Sequence, residues 1–400
     1  MITSRIRTRR SPRRAVRIAL VLGLLLATSA APIDGRVAAA QTGGTGLVLE
    51  DFRGATAVPE FEGYGTACLT GAAVTTGPAP GEHSLGGCPP ATRAGAGPVP
   101  PRSGAPDGFL ELTDASNDQA GAVLYEQALP TEHGLHISFQ QWQYGGQSVF
   151  QGQPVQADGI SFFLVDGTAS LTAPGAFGGS LGYAQKLPDD NTANPFLPGV
   201  NGGYLGIGFD VLGNYFGDWE QRGTGCSPRS PAGTIFRIPA PGANMVTVRG
   251  PGNGTNGYCW LTATTSNTTT TSPWPSTLSG SLHGPLTTLP PNATPAQAAA
   301  ALAPSGRTVT VDISPDPVIT ISVDFNDGAG PTQVLSFPAP QPEPTTFKFG
   351  FAASTGLFTD VHLIRFVNIA TEEPLPTPTP EPTATPARLP GPPVTGALCS

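Results

Sequence analysis

The run Gly178-Gly179-Ser180-Leu181-Gly182 has the G-x-S-x-G spacing of a nucleophile elbow, the turn that presents a catalytic serine. That chemistry needs a strand before the motif and a helix after it. Here a Pro/Gly-containing loop precedes it and no helical pattern follows, so the run reads as a glycine-rich loop whose backbone can approach a ligand closely. Retaining glycoside hydrolysis needs two carboxylates about 5–5.5 Å apart, of the kind an E-x-D-x-E strand supplies. No such strand occurs, and no enzyme is expected. Of the five cysteines, Cys68 and Cys88 flank a Gly/Pro-rich loop, and Cys226 and Cys259 bracket a second irregular region. The expected disulfides are Cys68–Cys88 and Cys226–Cys259, one of three connectivities open to four cysteines, with Cys399 left over in the tail. No C-x-x-C pair exists to suggest structural zinc. The remaining polar candidates are Asp158, just before an apolar run, and Asp210 and Asn214, which by themselves could shape a turn through Asx hydrogen bonds.

The elements that must hold these residues are strands. Gly (52) and Pro (45) are too abundant among 400 residues for a helical protein and suit many short strands joined by loops. Leu135, Ile137 and Phe139 alternate with polar residues, as do Val309, Val311 and Ile313, then Ile319, Ile321, Val323 and Phe325, then Phe347, Phe349 and Phe351. Period two buries one face of each strand. The run from Ile160 to Val165 is apolar on both faces, as in a central strand, and Asn326-Asp327-Gly328 reads as a hairpin turn. One helix is expected, PAQAAAAL from Pro295 to Leu302 with Thr294 as its cap. It lies in a Thr/Ser/Pro-rich insertion, 262–305, that reads as a long surface loop.

Both ends differ in composition. Seven arginines between Arg5 and Arg17 precede a short apolar run at 19–27, too short to span a membrane, and Ala38-Ala39-Ala40 offers an A-x-A cleavage site. Residues 1–40 therefore read as a signal peptide, giving a secreted or cell-surface protein in a disulfide-permissive compartment and no membrane insertion after cleavage. Residues 371–400 read as a Pro/Thr-rich stalk, with Pro at every second position from Pro374 to Pro382. Without residues 1–40 the chain has 12 basic and 27 acidic residues. That charge repels phosphate backbones, excludes nucleic acid as a partner and suits neutral ligands or cations.

Four segments, in order, resemble the legume-type (L-type) lectin domain. They are Phe109-Leu110-Glu111-Leu112-Thr113 with Gly121-Ala122-Val123-Leu124-Tyr125, Ala157-Asp158-Gly159-Ile160-Ser161-Phe162-Phe163-Leu164, the run from Gly203 to Asn214 around Gly208-Phe209-Asp210, and Phe349-Gly350-Phe351-Ala352-Ala353-Ser354-Thr355-Gly356 with His362-Leu363-Ile364-Arg365-Phe366. Val248-Arg249-Gly250-Pro251-Gly252 resembles bacterial members in particular. The resemblance covers 46–370 and implies an all-β, concanavalin A-like antiparallel sandwich or jelly roll whose partners are glycans. It implies that Asp158, after a cis peptide, accepts from sugar hydroxyls, that Gly179 offers a backbone amide, and that Asn214, Leu357 and Phe358 complete the carbohydrate site. It implies calcium as cofactor, held by Asp210, the Leu212 carbonyl, Asn214 and Asp218, an oxygen set suited to that ion. Gly208 and Met245 stand where plant members carry ligands for a transition metal, so no second metal is expected. Leu212 stands where many plant members place an aromatic wall, which leaves Tyr215, Phe216 or Phe358 to supply it. The alternatives are a structural adhesin domain of this fold without sugar binding, and a glycoside hydrolase of the same architecture.

Overall fold

A computed structural model describes residues 44–75 and 83–375. The signal-peptide reading of 1–40, Cys399 and most of the stalk lie outside the described residues. The described chain is an antiparallel sandwich of two sheets, of eight and ten strands, with a small two-stranded ribbon beside them. The first sheet runs in the order Thr332–Pro338, Val318–Asp324, Gly306–Ile313, Leu135–Tyr144, Val361–Ala370, Leu110–Thr113 and Cys68–Leu69, with Gly46–Glu50 also on Val361–Ala370. The second centres on Gly203–Asp210, Gly159–Asp166, Thr346–Ser354, Ala120–Tyr125 and Phe61–Gly65, and Met245–Arg249 extends it from Gly203–Asp210. This is the fold class the alternation predicts.

The alternating segments pack as period two requires. Ile137, Phe139, Val309, Val311, Ile319, Ile321, Phe349 and Phe351 all enter one core between the sheets. Phe139 lies at its centre, 4.8 Å from Phe351 and 5.8 Å from Phe162 between ring centroids. The Gly159–Asp166 strand is apolar on both faces because it serves two layers. Ile160, Phe162 and Leu164 join the main core, whereas Phe163 and Val165 join a second cluster with Leu181, Tyr183, Tyr215 and Tyr258. That second cluster lies under the loops of one sheet face, and these loops carry the candidate site.

Cys68–Cys88 and Cys226–Cys259 are disulfide-bonded. The hairpin of Val318–Asp324 and Thr332–Pro338 forms, joined by the longer connection 325–331. Pro295–Leu302 is the one α-helix among the described residues, and it carries a capping box of Thr294 and Gln297. The 262–305 insertion departs from a free surface loop. Trp274 and Leu282 are buried in it, Leu282 in the main core, and the Leu282 amide donates to Asn244 Oδ1 at 2.8 Å. Arg307 reaches back to the Ser281 carbonyl at 2.7 Å, and Trp142 Nε1 donates to the Leu302 carbonyl at 3.0 Å. Single apolar anchors spaced through polar residues hold this segment, a pattern with no period to read. No helix among the described residues is long and apolar enough to cross a membrane.

Candidate functional site

Three loops and one strand end meet at one end of the central strands of the second sheet. The Ala157–Asp158 peptide is cis, and Asp158 opens the Gly159–Asp166 strand. Its backbone carbonyl accepts from the amides of Val211 and Leu212 at 3.0 and 3.3 Å, which ties the 211–218 loop to it. The Gly178–Ser180 turn is pinned to the next strand over: the Gly178 amide donates to the Thr355 carbonyl at 3.1 Å, and Ser354 Oγ donates to the Gly178 carbonyl at 2.6 Å. The loop after Thr346–Ser354 is fixed by Asn117 Nδ2, which donates to the carbonyls of Gly356 and Leu357, each at 2.9 Å.

These anchors bring the sequence-predicted carbohydrate residues together. Asp158, Gly179, Leu212, Asn214, Leu357 and Phe358 all line one cleft of about 420 Å³. The Asn214 side chain is close enough to the Asp158 carboxylate to favour its charged form. A Cβ on Gly179 would lie 2.4 Å from Asn214 Cγ, so only glycine lets that turn close over the amide. Asp158 Oδ2 and Asn214 Oδ1 are buried and have no hydrogen-bond partner among the described residues. Burial pushes the Asp158 carboxyl up to about 7, against the opposing pull of the Lys186 charge and the Asn214 side chain. Lys186 sits beside this floor, 3.9 Å above the Phe177 ring centroid and 3.3 Å from Glu220.

The walls differ from expectation. Tyr215 and Phe216 are fully buried: Tyr215 packs in the second cluster, and Phe216 packs on Trp260 and Trp274. Neither faces the cleft. Phe358 lines it but is only 5% exposed, wedged among Ala157, Leu212 and Ala240, while Leu357 stands 74% exposed on the rim. The aromatic wall is Trp219 stacked on Phe236, with ring centroids 4.0 Å apart and planes at 23°. Sequence reasoning missed this pair. The two rings lie 17 positions apart in irregular loops, and the only hint is that large aromatics there have no strand face to occupy.

The donors assigned to calcium do not form an oxygen cage. Asp210 uses both carboxylate oxygens within its own loop, accepting from the amides of Gly213 at 2.6 Å and Tyr215 at 2.7 Å. Burial, helped by the nearby charge of Asp158, pushes its carboxyl up to about 8. Asp218 accepts from Arg249 Nη2 at 3.0 Å and from the Ser230 amide at 2.8 Å. Asn214 Oδ1 remains as a buried acceptor without a partner among the described residues, on a residue that lines the cleft. Arg222, also fully buried, adds a second positive charge close enough to act on Asp158, Asp210 and Asp218. A dication needs free oxygens; here the Asp210 and Asp218 carboxylates are already hydrogen-bonded and two buried guanidiniums stand close to them. The calcium expectation for Asp210, Leu212, Asn214 and Asp218 therefore does not fit this arrangement. A Cβ on Gly208 would lie 2.5 Å from the Tyr215 ring, which fills the space beside it.

No protein-family model and no curated protein sequence matches the chain. Among solved structures, the VIP36 exoplasmic/lumenal domain in its Ca2+/Man-bound form is similar at 13% identity, over 79% of this chain and 84% of that one, with a TM-score of 0.41. A lectin from Bauhinia forficata in complex with GalNAc is similar at 14% identity, over 82% of this chain and 98% of that one, with a TM-score of 0.40. A Lotus tetragonolobus seed lectin is similar at 14% identity, over 80% and 97%, with a TM-score of 0.42. Similarity at this level leaves the chemistry of the cleft to be read from the chain's own residues.

Proposed function

We propose that the chain is a non-catalytic carbohydrate-binding module, secreted or displayed at the cell surface, and that the cleft around Asp158 holds one neutral sugar unit. The observation that carries this reading is the pair of buried acceptors without partners, Asp158 Oδ2 and Asn214 Oδ1, at the floor of an open cleft. Buried polar atoms in a folded protein are nearly always satisfied, so two adjacent orphans at a cleft floor call for donors from outside. Vicinal sugar hydroxyls supply two such donors, and the apolar C–H face of the ring suits the Trp219–Phe236 wall and the Leu357 rim. In this reading the backbone amide of Gly179 donates to a sugar oxygen. Two disulfides are consistent with an oxidising compartment, and the basic, then apolar, N-terminus is consistent with export.

A glycan array probed with the wild-type protein and with Asp158→Ala, each with and without chelator, tests the reading. The expected result is selective binding by the wild type that the variant lacks while it keeps the wild-type melting temperature. Equal binding by a folded Asp158→Ala would place the site elsewhere. If no glycan binds under any condition, the structural-domain reading replaces this one.

A further inference from the structure

The 214–218 loop that carries Asn214 is organised by the chain's own cations. Arg249 ends the Met245–Arg249 strand and is fully buried. Its Nε donates to the Tyr215 carbonyl at 2.9 Å, its Nη1 to the Tyr258 carbonyl at 2.9 Å, and its Nη2 to the Gly217 carbonyl at 2.7 Å and to Asp218 Oδ1 at 3.0 Å. One planar fork therefore gathers two carbonyls and a carboxylate from a four-residue stretch, as a bound cation would gather oxygens. Arg222 continues the pattern. Its Nε donates to the Gly217 carbonyl at 3.3 Å, its Nη1 reaches Ser180 Oγ at 3.4 Å, and the same nitrogen pairs with Glu220 at 3.5 Å. Ser180 belongs to the Gly178–Ser180 turn, so Arg222 links the loop of Asn214 to the turn of Gly179.

We infer that Arg249 and Arg222 are positioning residues of the cleft, that their guanidiniums take the place of a divalent cation in organising it, and that the site is metal-independent. The physical basis is a competition. A guanidinium offers five donors in a fixed plane and cannot lose its charge in a protein, so it holds several oxygens in one geometry. Asp218 is the one oxygen donor common to the arginine network and the expected calcium set. A dication there would have to displace the hydrogen bonds from Arg249 and the Ser230 amide, and at Asp210 those from the Gly213 and Tyr215 amides. Two buried positive charges would also repel it in a medium of low dielectric. Metal binding and amide exchange test this independently of the carbohydrate reading; only a glycan-affinity measurement rests on that reading.

The test begins with the full-length wild-type protein, stripped by chelator and dialysed. Adding calcium is expected to leave its melting temperature unchanged, and terbium is expected to give no saturable sensitised luminescence. A calcium-induced rise in melting temperature that chelator reverses would overturn the inference. The second arm is amide hydrogen exchange on Arg222→Gln and Arg249→Lys. Faster exchange confined to 178–180 and 213–218, with the Gly159–Asp166 and Thr346–Ser354 strands still protected, is the expected signature. Unchanged exchange in those two loops, or an even loss across all strands, would reduce the arginines to ordinary structural residues. If Arg249→Lys fails to fold, Arg222→Gln and the wild-type calcium measurement still decide. Where a glycan has been found, both variants should bind it at least tenfold more weakly, with calcium giving no rescue. Absence of any glycan would sink the carbohydrate reading and leave the metal result standing.

Discussion

The floor of the cleft and the loop beneath it are both built from buried oxygen acceptors, yet they differ in one respect. Asp210 and Asp218 have every oxygen engaged, by two loop amides in one case and by Arg249 and the Ser230 amide in the other. Asp158 and Asn214 each keep one buried oxygen without a partner. Burial alone does not separate the two regions, since all four residues are 9% exposed or less. What separates them is satisfaction: a fully paired buried charge fixes a shape, whereas an unpaired acceptor at a cleft floor costs stability until something binds.

This contrast predicts opposite responses to mutation. The largest effect falls on the paired side. Asp218→Ala would leave the Arg249 guanidinium buried without its counter-charge, and breaking such a pair costs about 3–5 kcal/mol. Urea denaturation should show that loss, and a change under about 0.5 kcal/mol, ordinary for a surface substitution, would mean that solvent reaches Arg249 after all. On the unpaired side, Asp158→Asn should barely lower stability, because it removes a desolvated charge and keeps the shape. It should cost binding about 1.5–3 kcal/mol, the worth of a hydrogen bond to a charged group. Titration calorimetry against an array-selected glycan would read this, and undiminished affinity would erase the distinction between the two regions. A smaller effect is expected at the wall. Trp219→Ala removes one face of the stacked pair and should weaken binding by about 0.5–1.5 kcal/mol, the usual worth of an aromatic contact beyond its area. Fluorescence quenching on ligand addition should fall with it.

The same division governs how much is legible in the residues alone. The strands are legible because period-two alternation is local: Ile137 with Phe139, or Ile319 with Ile321, reports its buried face without reference to its neighbours. The convergence of Asp158, Gly179 and Asn214 is legible because three short motifs carry it. The satisfied network is not. Arg249 ends the run Met-Val-Thr-Val-Arg, where alternation places it opposite Val248, and nothing local says that the opposite face is covered by the loops of Tyr215 and Tyr258. Without the contacts of Arg249, the residues Asp210, Asn214 and Asp218 look like free oxygen donors, and calcium is the natural cation to supply. The Trp219–Phe236 wall is hidden for a related reason, since it forms between two irregular loops.

The smallest predicted effect sharpens the comparison from outside the cleft. His362, on the Val361–Ala370 strand, is also fully buried with an orphan atom: Nε2 has no partner among the described residues, while Nδ1 meets Thr113 Oγ1 at 2.7 Å. His362 does not line the cleft described above, and the ring avoids an unpaired charge by staying neutral. Burial, with a further push from the His283 charge, lowers its pKa to about 3, against about 6.5 for a free histidine. His283 itself pairs with Asp360, whose carboxyl burial pushes upward. Proton counting gives the sign. Below pH 6.5 the unfolded chain takes up a proton at His362 that the folded chain refuses until about pH 3, so this contribution is complete above pH 6.5 and is lost as pH falls through that window. Between pH 7 and pH 6 the loss should be under about 1 kcal/mol, growing at lower pH. His362→Gln keeps a polar side chain of similar reach but cannot titrate. The difference in unfolding free energy between wild type and this variant should therefore slope with pH between 6.5 and 4 and be flat above 7. A pH-independent difference would mean that the folded protein protonates His362 as readily as water does. Its orphan nitrogen would then be solvated, and His362 would not be the buried neutral group that its environment implies.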